Sequence, residues 1–172
     1  MHALTLEQPL AVRPPRTLAE AAEAHLDDVL GYLLYLTRDR ETAEDLASST
    51  FEKALRLWNR FDPGRGSART WLLGIARTTA LDWFRAEARR RKREEAAAPP
   101  ERVEEAFAEG LSPALEAGLA TLSAGEREVL ALRVVLELDG DATARVLGIS
   151  PTAVSTRLSR ALKRLEERVN QG

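Results

Sequence analysis

Residues 142–158 read Ala142-Thr-Ala-Arg-Val-Leu-Gly-Ile-Ser-Pro-Thr-Ala-Val-Ser-Thr-Arg-Leu158, and this stretch decides the fold. It divides at Gly148 into two short amphipathic pieces. Small Ala144 suits a point where two helices cross closely, Gly148 suits a sharp change of direction, and Ser150-Pro151 is an N-cap followed by a first-turn proline. Ile149 and Val154 are placed to plug the core between the two helices. In the second helix Val154, Leu158, Ala161 and Leu165 share a face, which turns Thr152, Ser155, Thr156, Ser159, Arg160 and Lys163 outward. Short hydroxyl side chains let a helix sit deep in a DNA major groove while Arg and Lys reach bases or phosphates. The pattern predicts a helix-turn-helix; a helical hairpin with a solvated polar face is the plainer alternative.

Working outward, Ser123-Ala-Gly-Glu126 has capping-box spacing ahead of a helix carrying Val129, Leu132 and Leu136, and Leu115, Leu119 and Leu122 mark a shorter helix before it. Residues 114–172 thus form one small helical domain. Residues 94–113, rich in Ala and Glu and punctuated by Pro99, Pro100 and Pro113, read as an acidic linker. Residues 17–93 form another domain, of three helices. Ala22, Leu26, Val29, Leu33 and Leu36 recur at helical spacing from Leu18 to Leu36. Asp39 is a candidate N-cap for a helix to about Trp58, with Ala43, Leu46, Ala47, Thr50, Ala54 and Leu57 on its apolar side. The loop Phe61-Asp-Pro-Gly-Arg-Gly-Ser67 follows, and Ser67 caps a third helix from about Ala68 to Arg91. Residues 1–16, with Pro9, Pro14 and Pro15, read as an irregular tail. The fold class expected is all-α, two small helical domains with a core each.

In the third helix Leu72, Ile75, Ala76, Thr79 and Trp83 fall within one arc at about 100° per residue. Trp71, Thr78, Asp82, Arg85 and Arg89 lie on another stripe, which grows more basic toward the Arg89–Arg93 run. A basic helix end also suits the macrodipole, so the run is not specific by itself. Trp71, beside the glycine-containing loop, is placed to stack on an unpaired base; Trp83 belongs to the core arc.

The net charge of −2 conceals segregation: residues 61–93 carry +6 and residues 129–172 carry +2, while residues 94–128 carry −7 and residues 1–60 carry −3. Two basic blocks flank an acidic one, as if two surfaces meet a polyanion and the connection avoids it. With no Cys and two distant histidines, His2 and His25, no metal site and no cofactor are expected. Glu41, Glu44 and Asp45 lack a His, Cys or metal partner that would make them catalytic, which argues against an enzyme. No run approaches the roughly 18 apolar residues of a membrane helix, and the first residues lack signal-peptide character, so membrane insertion is not expected and the cytoplasm is.

Thr42-Ala-Glu-Asp-Leu-Ala-Ser-Ser-Thr-Phe51, Phe61-Asp-Pro-Gly-Arg65, Thr70-Trp-Leu-Leu-Gly-Ile-Ala-Arg-Thr-Thr-Ala-Leu-Asp82 and the stretch Leu122 to Leu165 together closely resemble the extracytoplasmic-function sigma factors of bacterial RNA polymerase. The resemblance implies a region-two domain that binds the clamp helices of the largest polymerase subunit and captures an unpaired base of the minus-ten element. It implies a region-four domain that reads the minus-thirty-five element and touches the polymerase flap. Carried across, Ala43, Glu44, Asp45, Leu46 and Ser49 take the core-polymerase contact. The loop from Phe61 to Arg69, with Phe61, Arg65, Ser67 and Arg69, takes the base-specificity role, joined by Trp71, Thr78, Asp82, Arg85 and Arg89. Thr152, Ser155, Thr156, Arg157, Ser159, Arg160 and Lys163 take the minus-thirty-five contacts.

Thr78 stands where many relatives have an Asn lining the base pocket, Ser48-Ser49 where Gln-Glu is frequent, and Thr143 where Ile is usual. The resemblance implies core RNA polymerase and promoter DNA, duplex and melted, as partners; an anti-sigma factor is a further candidate. The rival reading is a free-standing helix-turn-helix regulator that uses its first domain to dimerise.

Overall fold

The computed structural model describes residues 15–95 and 113–170, and seven α-helices account for most of them. The N-terminal tail and the interdomain linker expected from the sequence lie almost wholly outside the described residues. Domain one is α1 (Leu18–Thr37), α2 (Arg40–Leu57) and α3 (Ala68–Glu95). Domain two is α4 (Pro113–Ala120), α5 (Ala124–Leu130), α6 (Gly140–Leu147) and α7 (Pro151–Val169).

The helices start where short oxygen-bearing side chains replace missing backbone acceptors. Asp39 accepts from the Thr42 amide at 2.8 Å, Ser67 from Thr70 at 3.1 Å and Ser150 from Ala153 at 3.1 Å. Ser123 and Glu126 make the full reciprocal capping box, the Ser123 amide reaching Glu126 at 2.8 Å. Each such cap stabilises its helix by about 1 kcal/mol. Gly148 ends α6 in the left-handed region at φ 65°, a conformation glycine adopts without a Cβ penalty.

Two departures from the sequence expectation have local causes. Helix α3 continues to Glu95, past Arg91, because Arg90 clasps Glu87 at 2.6 Å and Glu94 at 2.9 Å along one helix face. The helix carrying Val129, Leu132 and Leu136 is not uniform: after Leu130 it widens into a π-helical segment, Ala131–Val135, with the Leu136 amide donating to Ala131 at 2.9 Å. The widened turn returns Leu136 and Leu138 to the interior and leaves Val134 and Val135 more than half exposed. Glu137, between the two buried leucines, is thereby forced to φ 53°.

In domain one, α1, α2 and α3 pack pairwise around Val29, Leu33, Ala54, Leu72 and Leu73. In domain two, α4, α5 and α6 pack on α7. The sequence suggests two cores, but the buried apolar residues of domain one continue without a break into Val129, Leu132, Leu136, Val146 and Val154 of domain two. A smaller cluster of Leu119, Leu122, Leu130 and Ala161 stays within domain two. The junction is made by α6 packing on α3. Each helix has an apolar face its own domain leaves uncovered, and placing them together removes both from water.

Two substitutions test these local assignments. Glu137→Gly removes a left-handed conformation that costs an L-residue about 1 kcal/mol, and it should raise unfolding stability by about that amount in a urea titration. Thr143 is fully buried and its hydroxyl has no hydrogen-bond partner. Thr143→Val keeps the shape and removes the unpaired group, so the denaturation midpoint should rise, by about 1 kcal/mol equivalent; an unchanged midpoint would show that the hydroxyl is satisfied.

Candidate nucleic-acid interface

Helix α7 is held by one side and open on the other. Val154 and Ala161 are buried, and Leu158 and Leu165 half-buried, against α4, α5 and α6. Thr152, Ser155, Thr156, Ser159, Arg160 and Lys163 are all exposed. At about 100° per residue these six fall within an arc of roughly 140°. The Ser155 and Thr156 hydroxyls donate to the carbonyls of Pro151 and Thr152 at 3.2 and 2.9 Å, which keeps them close to the helix and its face shallow. Lys163 lies 3.9 Å from Glu167, an exposed pair of little strength. Arg157 differs from the rest: it is half-buried, and its guanidinium lies over Gly125 on α5. The turn before α7 is fixed by Gly148 and by the Ile149 amide, which donates to Ala144 at 3.1 Å.

In domain one the loop after α2 is pinned by aromatics. Trp58 stacks on Phe61 at 4.9 Å, and Trp71 lies edge-on to Trp58 at 5.7 Å and tilted to Phe61 at 5.4 Å. Trp71 is therefore half-buried in a three-ring cluster. Asp62 turns the loop by accepting from the Gly64 amide at 2.8 Å, leaving Arg65 and Ser67 exposed. Along α3, Thr78, Asp82, Arg85 and Arg89 are exposed and follow the stripe read from the sequence. Asp82 accepts from Arg85 at 3.2 Å and lies 3.9 Å from Lys53, and the Thr78 hydroxyl donates to the Ile75 carbonyl. Trp83 is half-buried with Phe84 edge-on at 5.1 Å. Sequence reasoning passed over Trp58 as a helix end; its spacing to Phe61 is the signal that would have joined it to the loop.

Arg69 points inward instead of to the open stripe. Its guanidinium forks onto Asp28 at 2.7 and 2.9 Å and also donates to the Leu136 carbonyl of domain two at 2.7 Å. These hydrogen bonds hold the Asp28 carboxyl below its ordinary range, against the opposing effect of burial. A second link is Glu128, which accepts from the Tyr32 hydroxyl at 3.1 Å and from Arg77 at 2.9 and 3.2 Å. Burial, then the Glu128 charge, push the Tyr32 phenol well above its ordinary value, so it acts as a neutral donor. Neither Glu128, Tyr32 nor Arg77 was singled out from the sequence.

On α2, Ala43 and Leu46 are buried beneath the helix, Ser49 is half-buried, and Glu44 and Asp45 face outward. Beside Glu44 an open apolar groove runs between α1 and α2, lined by Leu18, Leu26, Leu30, Phe51 and Leu55, with Glu52 on its rim. Among the described residues no cluster of side chains suits a metal ion, and no helix is long and apolar enough to cross a membrane.

Residues 21–90 match the family model for Sigma-70 region 2, and residues 113–165 match that for Sigma-70, region 4. The chain is similar to the ECF RNA polymerase sigma factor SigC of Mycobacterium tuberculosis, 35% identical over 150 residues that cover 85% of this chain and 80% of that one. It is similar to SigX of Bacillus subtilis, an ECF RNA polymerase sigma factor, at 29% identity over 164 residues, 84% of this chain and 79% of that one. Among solved structures, the sigma factor RpoE of Bartonella quintana, in complex with the anti-sigma factor NepR, superposes with a TM-score of 0.67 at 26% identity, over 88% of this chain and 96% of that one. The reading as a free-standing regulator falls away: this chain belongs to the extracytoplasmic-function sigma factors, which are not enzymes, and it directs RNA polymerase to promoters to initiate transcription.

Proposed function

We infer that the two domains divide the promoter between them. Helix α7 enters the major groove at the minus-thirty-five element, and the loop from Phe61 to Arg69 with the outer stripe of α3 holds the melted strand of the minus-ten element. The observation that carries this reading is the continuous exposed face of Thr152, Ser155, Thr156, Ser159, Arg160 and Lys163 on a helix whose opposite face is locked into a helix-turn-helix. Its hydroxyls allow close approach and its cations reach base edges and phosphates. Arg157, lying over Gly125, supports the helix from behind. Base extrusion costs a few kcal/mol, so a pocket that repays only one base converts melting into selectivity.

Glu44 and Asp45, exposed on α2, supply the polymerase clamp contact beside the apolar groove, while Ala43 and Leu46 seat the helix. Domain two also touches the polymerase flap. The protein works in the cytoplasm, and an anti-sigma factor is a candidate regulator, as one accompanies the Bartonella structure.

Run-off transcription with purified core polymerase tests the groove assignment. Arg160→Ala should lower initiation from a matching promoter about tenfold, the equivalent of losing one good base contact; full activity on every template would remove α7 from the groove. Charge reversal by Glu44→Lys with Asp45→Lys should weaken holoenzyme assembly about tenfold or more in a binding titration. Unchanged affinity for core polymerase would take the clamp contact away from α2.

A further inference from the structure

We propose that Asp82 on α3 reads an unpaired guanine in the melted strand of the minus-ten element, and that Lys53, across on α2, is the positioning residue that aims it. The inference rests on the two-element reading above and names the base that the outer stripe of α3 selects.

A carboxylate on a surface that meets a polyanion needs a reason, because alone it repels the phosphates. Asp82 is not alone. The Arg85 guanidinium donates to its Oδ1 at 3.2 Å, and the Lys53 ammonium lies 3.9 Å from its Oδ2. Two cations and one anion leave the group net positive, so the acid is carried on a surface that still attracts DNA. Lys53 is fixed by its other contact. It donates to the Thr79 hydroxyl at 3.1 Å, and Thr79, 4% exposed, donates in turn to the Ile75 carbonyl at 2.9 Å. A lysine rooted on a buried hydroxyl holds its charge at one point between α2 and α3, and that point faces one oxygen of Asp82.

Each cation takes one oxygen of Asp82, and each oxygen keeps a second acceptor site. Two acceptors side by side fit two N–H donors side by side on one planar edge. Among the four bases of DNA only guanine offers that on its Watson–Crick edge, at N1 and N2. Cytosine and adenine set one amino group beside an acceptor nitrogen, and thymine sets one N–H between two carbonyl oxygens. Each of these three brings a lone pair against the carboxylate. In duplex DNA the guanine edge is occupied by cytosine, so the contact is made only after the base leaves the stack, which ties recognition to melting.

The surface beside Asp82 has room for a base. Thr78 and Gly74 precede it on the same stripe by one and two turns, and a Cβ added at Gly74 would meet no atom within 4 Å. Small side chains there leave the helix bare where a planar ring has to lie for its edge to reach the carboxylate.

Holoenzyme assembled with core polymerase tests the assignment on forked promoter templates that carry each of the four bases in turn at every unpaired position of the minus-ten element. The wild-type chain should favour guanine at one position by about tenfold, the size of one bidentate base contact. Asp82→Asn, which exchanges one acceptor oxygen for a donor, should abolish that preference. Lys53→Met keeps the stem and removes the charge, and should cut the preference severalfold, whereas Lys53→Arg should retain most of it. Weaker binding by Lys53→Met on all four bases alike, with the preference intact, overturns the positioning role. If Lys53→Met fails to fold, Asp82→Asn carries the test, since Asp82 is an exposed position. Discrimination of other bases without guanine favoured anywhere, or a guanine preference that survives Asp82→Asn, overturns the proposal and leaves the two-element reading standing. A wild-type chain that distinguishes no base at any minus-ten position overturns that reading as well.

Discussion

The carboxylate of Glu128 is the constraint around which the two domains are arranged. A charge at 8% exposure would be strongly destabilising without partners, and here the partners come from α1 and α3 of the other domain. Apolar contact between α3 and α6 supplies area but tolerates sliding, because burial has no direction. Three hydrogen bonds to one carboxylate have direction, and they fix how α5 meets domain one. The buried apolar core runs across the same contact, and Arg69, held inward by Asp28 of its own domain, adds a bond to the Leu136 carbonyl there.

The arginines divide by partner. Arg77 and Arg69 are committed across the domain contact, and Arg164 reaches the nearly buried Glu126 at 2.9 Å. Arg90 and Arg91 are engaged along their own helix with Glu87. Arg65 and Arg160 stand on exposed surfaces suited to a polyanion, as does Arg85, whose exposed pair with Asp82 is weak. The same division explains how a protein with net charge −2 binds DNA: its acidic groups are largely elsewhere, or already paired.

Features governed by a few neighbouring residues were legible in the sequence. The caps at Asp39, Ser67, Ser123 and Ser150, the turn at Gly148 and the open face of α7 each depend on contacts within about one or two turns. The π-helical segment was not legible, since periodicity of Val129, Leu132 and Leu136 fits an α-helix equally well until Leu138 also has to be buried. Trp58 read as a helix end because its partner rings are assembled by the loop that follows. Ala43 and Leu46 read as contact residues from a family pattern, whereas their burial depends on how α1 lies over α2.

By itself the sequence determined the all-helical class, the element order, the helix-turn-helix and the segregation of charge, because each is set by short-range hydrogen bonding, helical periodicity or simple composition. Only the tertiary structure decided that Glu128, one acid in an acidic stretch, is a buried partner for residues that precede it by 96 and 51 positions. It also decided that two expected cores are one, and that Arg69 faces inward. The reason is physical: a side chain's burial and charge partner depend on which surface comes to rest against it, and no local pattern encodes that.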